Sequence, residues 1–184
     1  MQNASELPKA APKAQGNIKI RSKNYASPDC GAKIVGANPE AQHASAVLSS
    51  SQDEYALSPC NSAKIWFVVE LCEAIQAKQV TTRLSLAACS LIFIISSFSQ
   101  IELANYELFS SSPQEFSVFV SDRYPTRDWH SVGQFTAQDE RTVQSFNLEP
   151  FLSFGKFIKV STNLPRALYA ATSWCIYALI TFVS

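Results

Sequence analysis

Apolar and polar positions alternate in short runs over most of the chain, and helical spacing is weak nearly everywhere. Ile65–Leu71 (IWFVVEL) is a dense β-branched and aromatic run bounded by polar residues, short enough for a buried strand. Ile101–Leu108 alternates loosely. Phe116–Ser121 (FSVFVS) alternates cleanly, with Phe116, Val118 and Val120 on one face and Ser117, Phe119 and Ser121 on the other. Asp122–Asp128, with Pro125 inside, reads as a turn, and Trp129–Phe135 as the return strand. Val143–Leu148 and Phe157–Val160 close the set. Short strands at roughly ten-residue spacing predict an all-β sandwich or jelly roll.

Four stretches break the pattern. Residues 1–23 are polar and aperiodic and read as a disordered tail, without the apolar core of a signal peptide. Asn24–Ser62 reads as ordered loop with extended pieces near Lys33–Val35 and Ala46–Leu48. The chain is charge-free from Leu84 through Ile101, just long enough to span a hydrocarbon core of ~30 Å as a helix. Ala167–Val183 is also uncharged, follows Arg166, and taken alone reads as a tail anchor. Both segments are candidates for membrane association.

Composition narrows the chemistry. Fifteen basic and 15 acidic residues cancel, and no basic stripe is present, so nucleic acid is not an expected partner. The five glycines offer little for a phosphate-cradling loop. The five cysteines lack CxxC spacing and there are two histidines, so neither zinc nor any other cofactor is expected. Cys30 and Cys60 both lie in turn-like contexts (SPDCG, LSPCN) and form the candidate disulfide of an oxidising compartment. Cys72, in an apolar strand, reads as a buried thiol. Asn3-Ala4-Ser5 matches the glycosylation acceptor pattern.

Asp122, Arg123, Arg127 and Trp129 form a candidate recognition loop on the rim of the sandwich; the plainer reading is a solvated turn with weak local ion pairs. Trp129 is expected to pack in the core with Phe135, with sugar stacking as the alternative role. His130 has no Ser or Cys nucleophile near it in sequence. Glu70 and Glu73 flank Cys72, and Glu70 reads as an edge-strand residue rather than part of a paired-carboxylate site. An enzyme is the least supported class.

Asn24–Ile34 (NYASPDCGAKI) resembles the opening of a SUN domain of the mid-SUN branch. The similarity continues through Asn38-Pro39-Glu40-Ala41, Asp53-Glu54-Tyr55 and Asn61–Ala77, resumes at Ile101–Ser112, and holds from Phe116 to Lys159. The resemblance implies a galactose-binding-like β-sandwich facing the lumen of the endoplasmic reticulum or, as the alternative, the nuclear envelope. It implies protein partners of lumenal or membrane type and no shared catalytic residues. In the nuclear-envelope branch such domains bind KASH peptides.

The sequence departs from this pattern twice. Lys78-Gln79 is expected to run directly into Ile101-Glu102 as one strand, but Val80–Gln100 intervenes. After Val160, Ser161–Ser184 replaces the family's closing strand, which puts KASH-peptide binding in doubt. Val80 can open with GT and Gln100 can close with CAG, the letters that bound an intron, and Val160 can again open with GT, so retained intronic sequence, in a truncated splice variant or a faulty gene model, is the expected origin of both segments. An insertion within a ladder disrupts pairing and register, so a marginally stable domain is expected. Three functional expectations remain: a protein-interaction module, by fold analogy a glycan-binding sandwich, and a tail-anchored membrane protein using Ala167–Val183.

Overall fold

The computed structural model describes residues 23–51, 53–59, 62, 64–75, 100–105, 114–149 and 154–162, and the backbone of 174–183. Within these, the chain forms β1 (Lys33–Ala37), β2 (Ala56–Pro59), β3 (Ile65–Ile75), β4 (Gln100–Ala104) and β5 (Glu115–Ser121). It continues with β6 (His130–Thr136), β7 (Gln144–Asn147), β8 (Gly155–Thr162) and β9 (Trp174–Val183). Two short 3-10 turns, Pro28–Cys30 and Ala44–Leu48, precede β1 and β2 respectively.

The strands make two antiparallel sheets, ordered β1-β3-β8-β5-β6 and β2-β9-β4-β7. Alternation decides which residues face inward. Ile65, Phe67, Val69 and Leu71 of β3, with Phe116, Val118 and Val120 of β5, meet Ile158 and Val160 of β8 in the core. Ile101 and Leu103 of β4 and Ala56 of β2 contribute from the other sheet. Phe116 seals the junction: its ring lies 5.0 Å from Phe146 of β7, edge to face, and 5.4 Å from Phe135 of β6. The architecture is the galactose-binding-like β-sandwich anticipated above.

Four expectations need correction. First, the strand expected to run from Lys78-Gln79 into Ile101-Glu102 opens, within the described residues, at Gln100 of the expected insert, and Lys78 and Gln79 lie outside them. β3 pairs with β1 and β8 in one sheet, and β4 pairs with β7 and β9 in the other. Each of these strands satisfies its hydrogen bonds against a different set of partners. Most of the inserted segment lies outside the described residues, but its last residue, Gln100, opens β4 opposite Asn147 and Val183.

Second, the last sheet position is filled. Trp174–Val183 forms β9, which pairs with β2 on one side and β4 on the other. The apolar end of the chain is thus a strand rich in β-branched and aromatic residues over this range, rather than a helical anchor. No helix among the described residues is long and apolar enough to cross a membrane.

Third, the disulfide joins Cys30 to Cys72, with Cα atoms 5.5 Å apart, and Cys72 is not a free thiol. The chain brings them together because the backbone N–H of Cys72 donates to the Tyr25 carbonyl at 3.1 Å, seating the N-terminal segment along β3. Cys60 lies outside the described residues, as do Asn3 and the tail 1–22. Lys23 reinforces the seat through an ion pair with Glu73 at 2.7 Å.

Fourth, Trp129 does not enter the core beside Phe135. Strand β6 starts one residue later, at His130, and its alternation directs Val132 inward. Trp129 stays half-buried at the loop end.

Candidate functional site

The loop between β5 and β6 gathers all four residues singled out as a recognition loop: Asp122, Arg123, Arg127 and Trp129. Local hydrogen bonds set its shape. The Asp128 N–H donates to Thr126 Oγ1 at 3.0 Å, and the buried Ser121 hydroxyl donates to the Asp128 carbonyl at 3.2 Å, tying the loop's exit to the end of β5. The Tyr124–Pro125 peptide is cis.

Aromatic contacts then hold the loop against the sheet. The Tyr124 ring lies 6.0 Å from Phe157 of β8 and 6.5 Å from Trp129. Tyr124 also reaches β1 at the far side of the sheet. A Cβ added at Gly36 would collide with the Tyr124 hydroxyl and stand 3.4 Å from the Trp66 ring, so the absence of a side chain at Gly36 makes this approach possible. The Lys159 ammonium sits 5.6 Å from the Trp66 ring and 5.7 Å from the Trp129 ring, within cation–π range of both. Val68 is 1% exposed yet is not part of the core cluster, which fits a second, smaller apolar layer on the face away from the core.

The charged side chains face the other way. Arg123 lies 3.9 Å from Asp122 and 3.7 Å from Asp128, and all three are at least 71% exposed. Pairs this long and this wet contribute little to stability. Arg127 is exposed and forms no ion pair with a described residue. The loop therefore combines a base fixed by rings with a tip whose charges are available to a partner. Sequence reading located the tip but missed its support. Trp66 and Lys159 sit in strands that read as plain alternation, and only the register Val68↔Lys159 places them side by side.

Beside the loop, Val120, Ser121, Asp122, Asp128, His130 and Phe154 line a pocket of about 260 Å³. A larger cleft, about 750 Å³, lies beside the Ala44–Leu48 turn and includes His43, Asp53, Glu54 and Tyr55. No group of three or more His, Cys, Asp or Glu side chains among the described residues could hold a metal ion. Glu70, expected at a sheet edge, belongs to an inner strand. Its carboxylate lies 3.4 Å from Lys33 and 4.0 Å from Lys156, making it the hub of a surface ion network.

Comparison with known proteins bears on both fold and family. The chain is 46% identical over 147 residues to the human SUN domain-containing ossification factor, a match covering 80% of this chain and 10% of that protein. The chain spans between 10% and 20% of the length of the curated relatives it matches. Among solved structures, the C-terminal domain of a chitobiase from Bacteroides fragilis superimposes with a TM-score of 0.60 at 13% identity, covering 88% of this chain and 99% of that one. A family 32 CBM from Clostridium perfringens in complex with galactose gives a TM-score of 0.58 at 8% identity, covering 89% and 99%. At such identities these two speak for the sandwich fold alone. The family model for the Sad1/UNC-like C-terminal region matches residues 92–179, a span that takes in β4 through β8 and the first part of β9. On these grounds the chain belongs to the Sad1/UNC family of SUN domains.

Proposed function

We propose that this SUN domain is a non-catalytic interaction module of an endoplasmic-reticulum membrane protein, with the nuclear envelope as the alternative site, and that it binds protein partners through the Asp122–Trp129 loop. The observation that carries the reading is the contrast within that loop. Tyr124 and Trp129 are packed against Phe157 and Lys159, while Asp122, Arg123 and Asp128 remain largely exposed. A fixed base lowers the ordering cost of binding, and exposed charge gives specificity and a faster encounter. The Cys30–Cys72 bond supports the lumenal side, because disulfides persist in oxidising compartments.

The test is capture of endoplasmic-reticulum lumenal proteins on the immobilised domain, compared with a variant carrying Trp129→Ala. Partners retained by the wild type and lost by the variant, at unchanged fold by circular dichroism, are the expected outcome. Equal capture by both would remove the loop from the account.

A second reading has one specific observation behind it. The half-buried Trp129 and Tyr124 rings lie on a sandwich whose structural neighbours include a domain in complex with galactose. Glycan binding abolished by Trp129→Ala on an array would favour it over the protein-binding reading.

A further inference from the structure

Phe154 is 63% exposed, one of two large hydrophobic side chains so placed among the described residues. A single exposed aromatic is ordinary on a protein surface, and what distinguishes this one is its neighbours. Here it shares a pocket of about 260 Å³ with Asp122, Asp128 and His130, over a floor of Val120 and Ser121. The two carboxylates flank one cation already: Arg123 stands 3.9 Å from Asp122 and 3.7 Å from Asp128. Both separations exceed hydrogen-bond length, so each carboxylate keeps acceptor capacity that this arginine does not use. One guanidinium thus comes within ion-pair range of both carboxylates at once, although Arg123 does not itself line the pocket.

We propose that this pocket binds a basic side chain, arginine or lysine, presented by a partner protein, with Phe154 as its aromatic platform and Asp122 and Asp128 as its counter-charges. A planar guanidinium stacks on an aromatic face and donates to carboxylates through its edge, which is the combination the pocket offers. The stem of the incoming side chain would lie along Val120 at the floor. Arg123 then acts as an internal placeholder, displaced when a better-placed cation enters. The proposal rests on the reading of the Asp122–Trp129 loop as a protein-binding surface, and it assigns the chemistry that this surface selects.

The placeholder role gives a sign that a general electrostatic surface would not single out at this residue. Binding is measured by fluorescence anisotropy with a short labelled peptide centred on an Arg-Arg pair, against the same peptide with both arginines replaced by citrulline. The intact domain is expected to prefer the arginine peptide at least tenfold, with the preference shrinking as salt is raised. Asp122→Asn with Asp128→Asn should abolish the preference, Phe154→Ser should reduce affinity several-fold, and Arg123→Gln should tighten binding. Arg127→Gln, which removes an equal charge that pairs with neither Asp122 nor Asp128, controls for net charge and should tighten it less. Equal binding of both peptides, absence of binding, or an Arg123→Gln effect no larger than that of Arg127→Gln would overturn the proposal. If the carboxylate variants still capture lumenal partners that the Trp129 variant loses, the loop reading stands and the basic side chain is the wrong ligand.

Discussion

Gly36 and Tyr124 are far apart in sequence but limit one another. The glycine leaves room for the phenol, and the phenol anchors the loop that carries Asp122, Arg123 and Arg127. Gly36→Ala is expected to destabilise the domain by about 1–3 kcal/mol, the usual cost of forcing an extra methyl into a packed contact. Because the hydroxyl is the group displaced, adding Tyr124→Phe should recover part of that loss, and a double-mutant cycle by thermal melting measures the coupling. Strictly additive effects would place the strain elsewhere. Asn38 offers a separate probe. Its side-chain amide donates to Glu40 at 3.1 Å, and this bond, followed by one to the Glu40 backbone, holds the Glu40 carboxyl below its ordinary value of 4.5. A depressed carboxyl contributes stability above pH 4.5 that is lost as pH falls through the folded value. Glu40 is fully solvated, so the signature is sought by NMR titration rather than in stability. Its midpoint should lie below 4.5 and return toward that value in Asn38→Ala, and an unchanged midpoint in the variant would assign the shift to another group.

Strands set the positions of these residues, and their legibility varied with the signal each carried. β5 alternates Phe116, Val118 and Val120 against Ser117 and Phe119, and the structure keeps that face assignment through Val120. β3 opens on the apolar run Ile65–Val69 and is equally plain. β9 was not, because its charge-free sequence fits a membrane helix as readily as a buried strand, and only the open hydrogen-bonding edges of β2 and β4 decide between them. The Cys30–Cys72 pair was hidden for a related reason. Turn context favoured Cys60, whereas the partner was fixed by the Tyr25–Cys72 backbone bond across a long loop. The rings beneath the recognition loop likewise come from strands whose order no local pattern reveals. Two outcomes follow. Cys72→Ser should cost about 2–5 kcal/mol, the usual range for a native disulfide in a small domain, read by denaturant titration. Deleting β9 should leave β2 and β4 without the strand between them and remove the cooperative melt. A deletion that melts like the full chain would show that β9 is dispensable.

The whole molecule is a two-sheet sandwich whose core draws on both sheets and whose opposite face is partly covered by the β5–β6 loop. The sequence pattern suggested an interrupted ladder and an open edge, the grounds for expecting a marginal domain. Within the described residues β4 is paired on both sides and β9 fills the position between β2 and β4, and a single cooperative unfolding transition is expected. What remains specific to this domain is the anchored, charged loop. The most direct test of its role is site-specific photocrosslinking of the endoplasmic-reticulum-targeted chain in living cells. One photoreactive residue replaces Arg127 at the loop tip, and a control replaces Val143, which is 45% exposed. Discrete protein adducts from position 127, absent from position 143 and lost when Trp129→Ala is added, are the result the account predicts. Adducts equally abundant from both positions, or unaffected by Trp129→Ala, would contradict it.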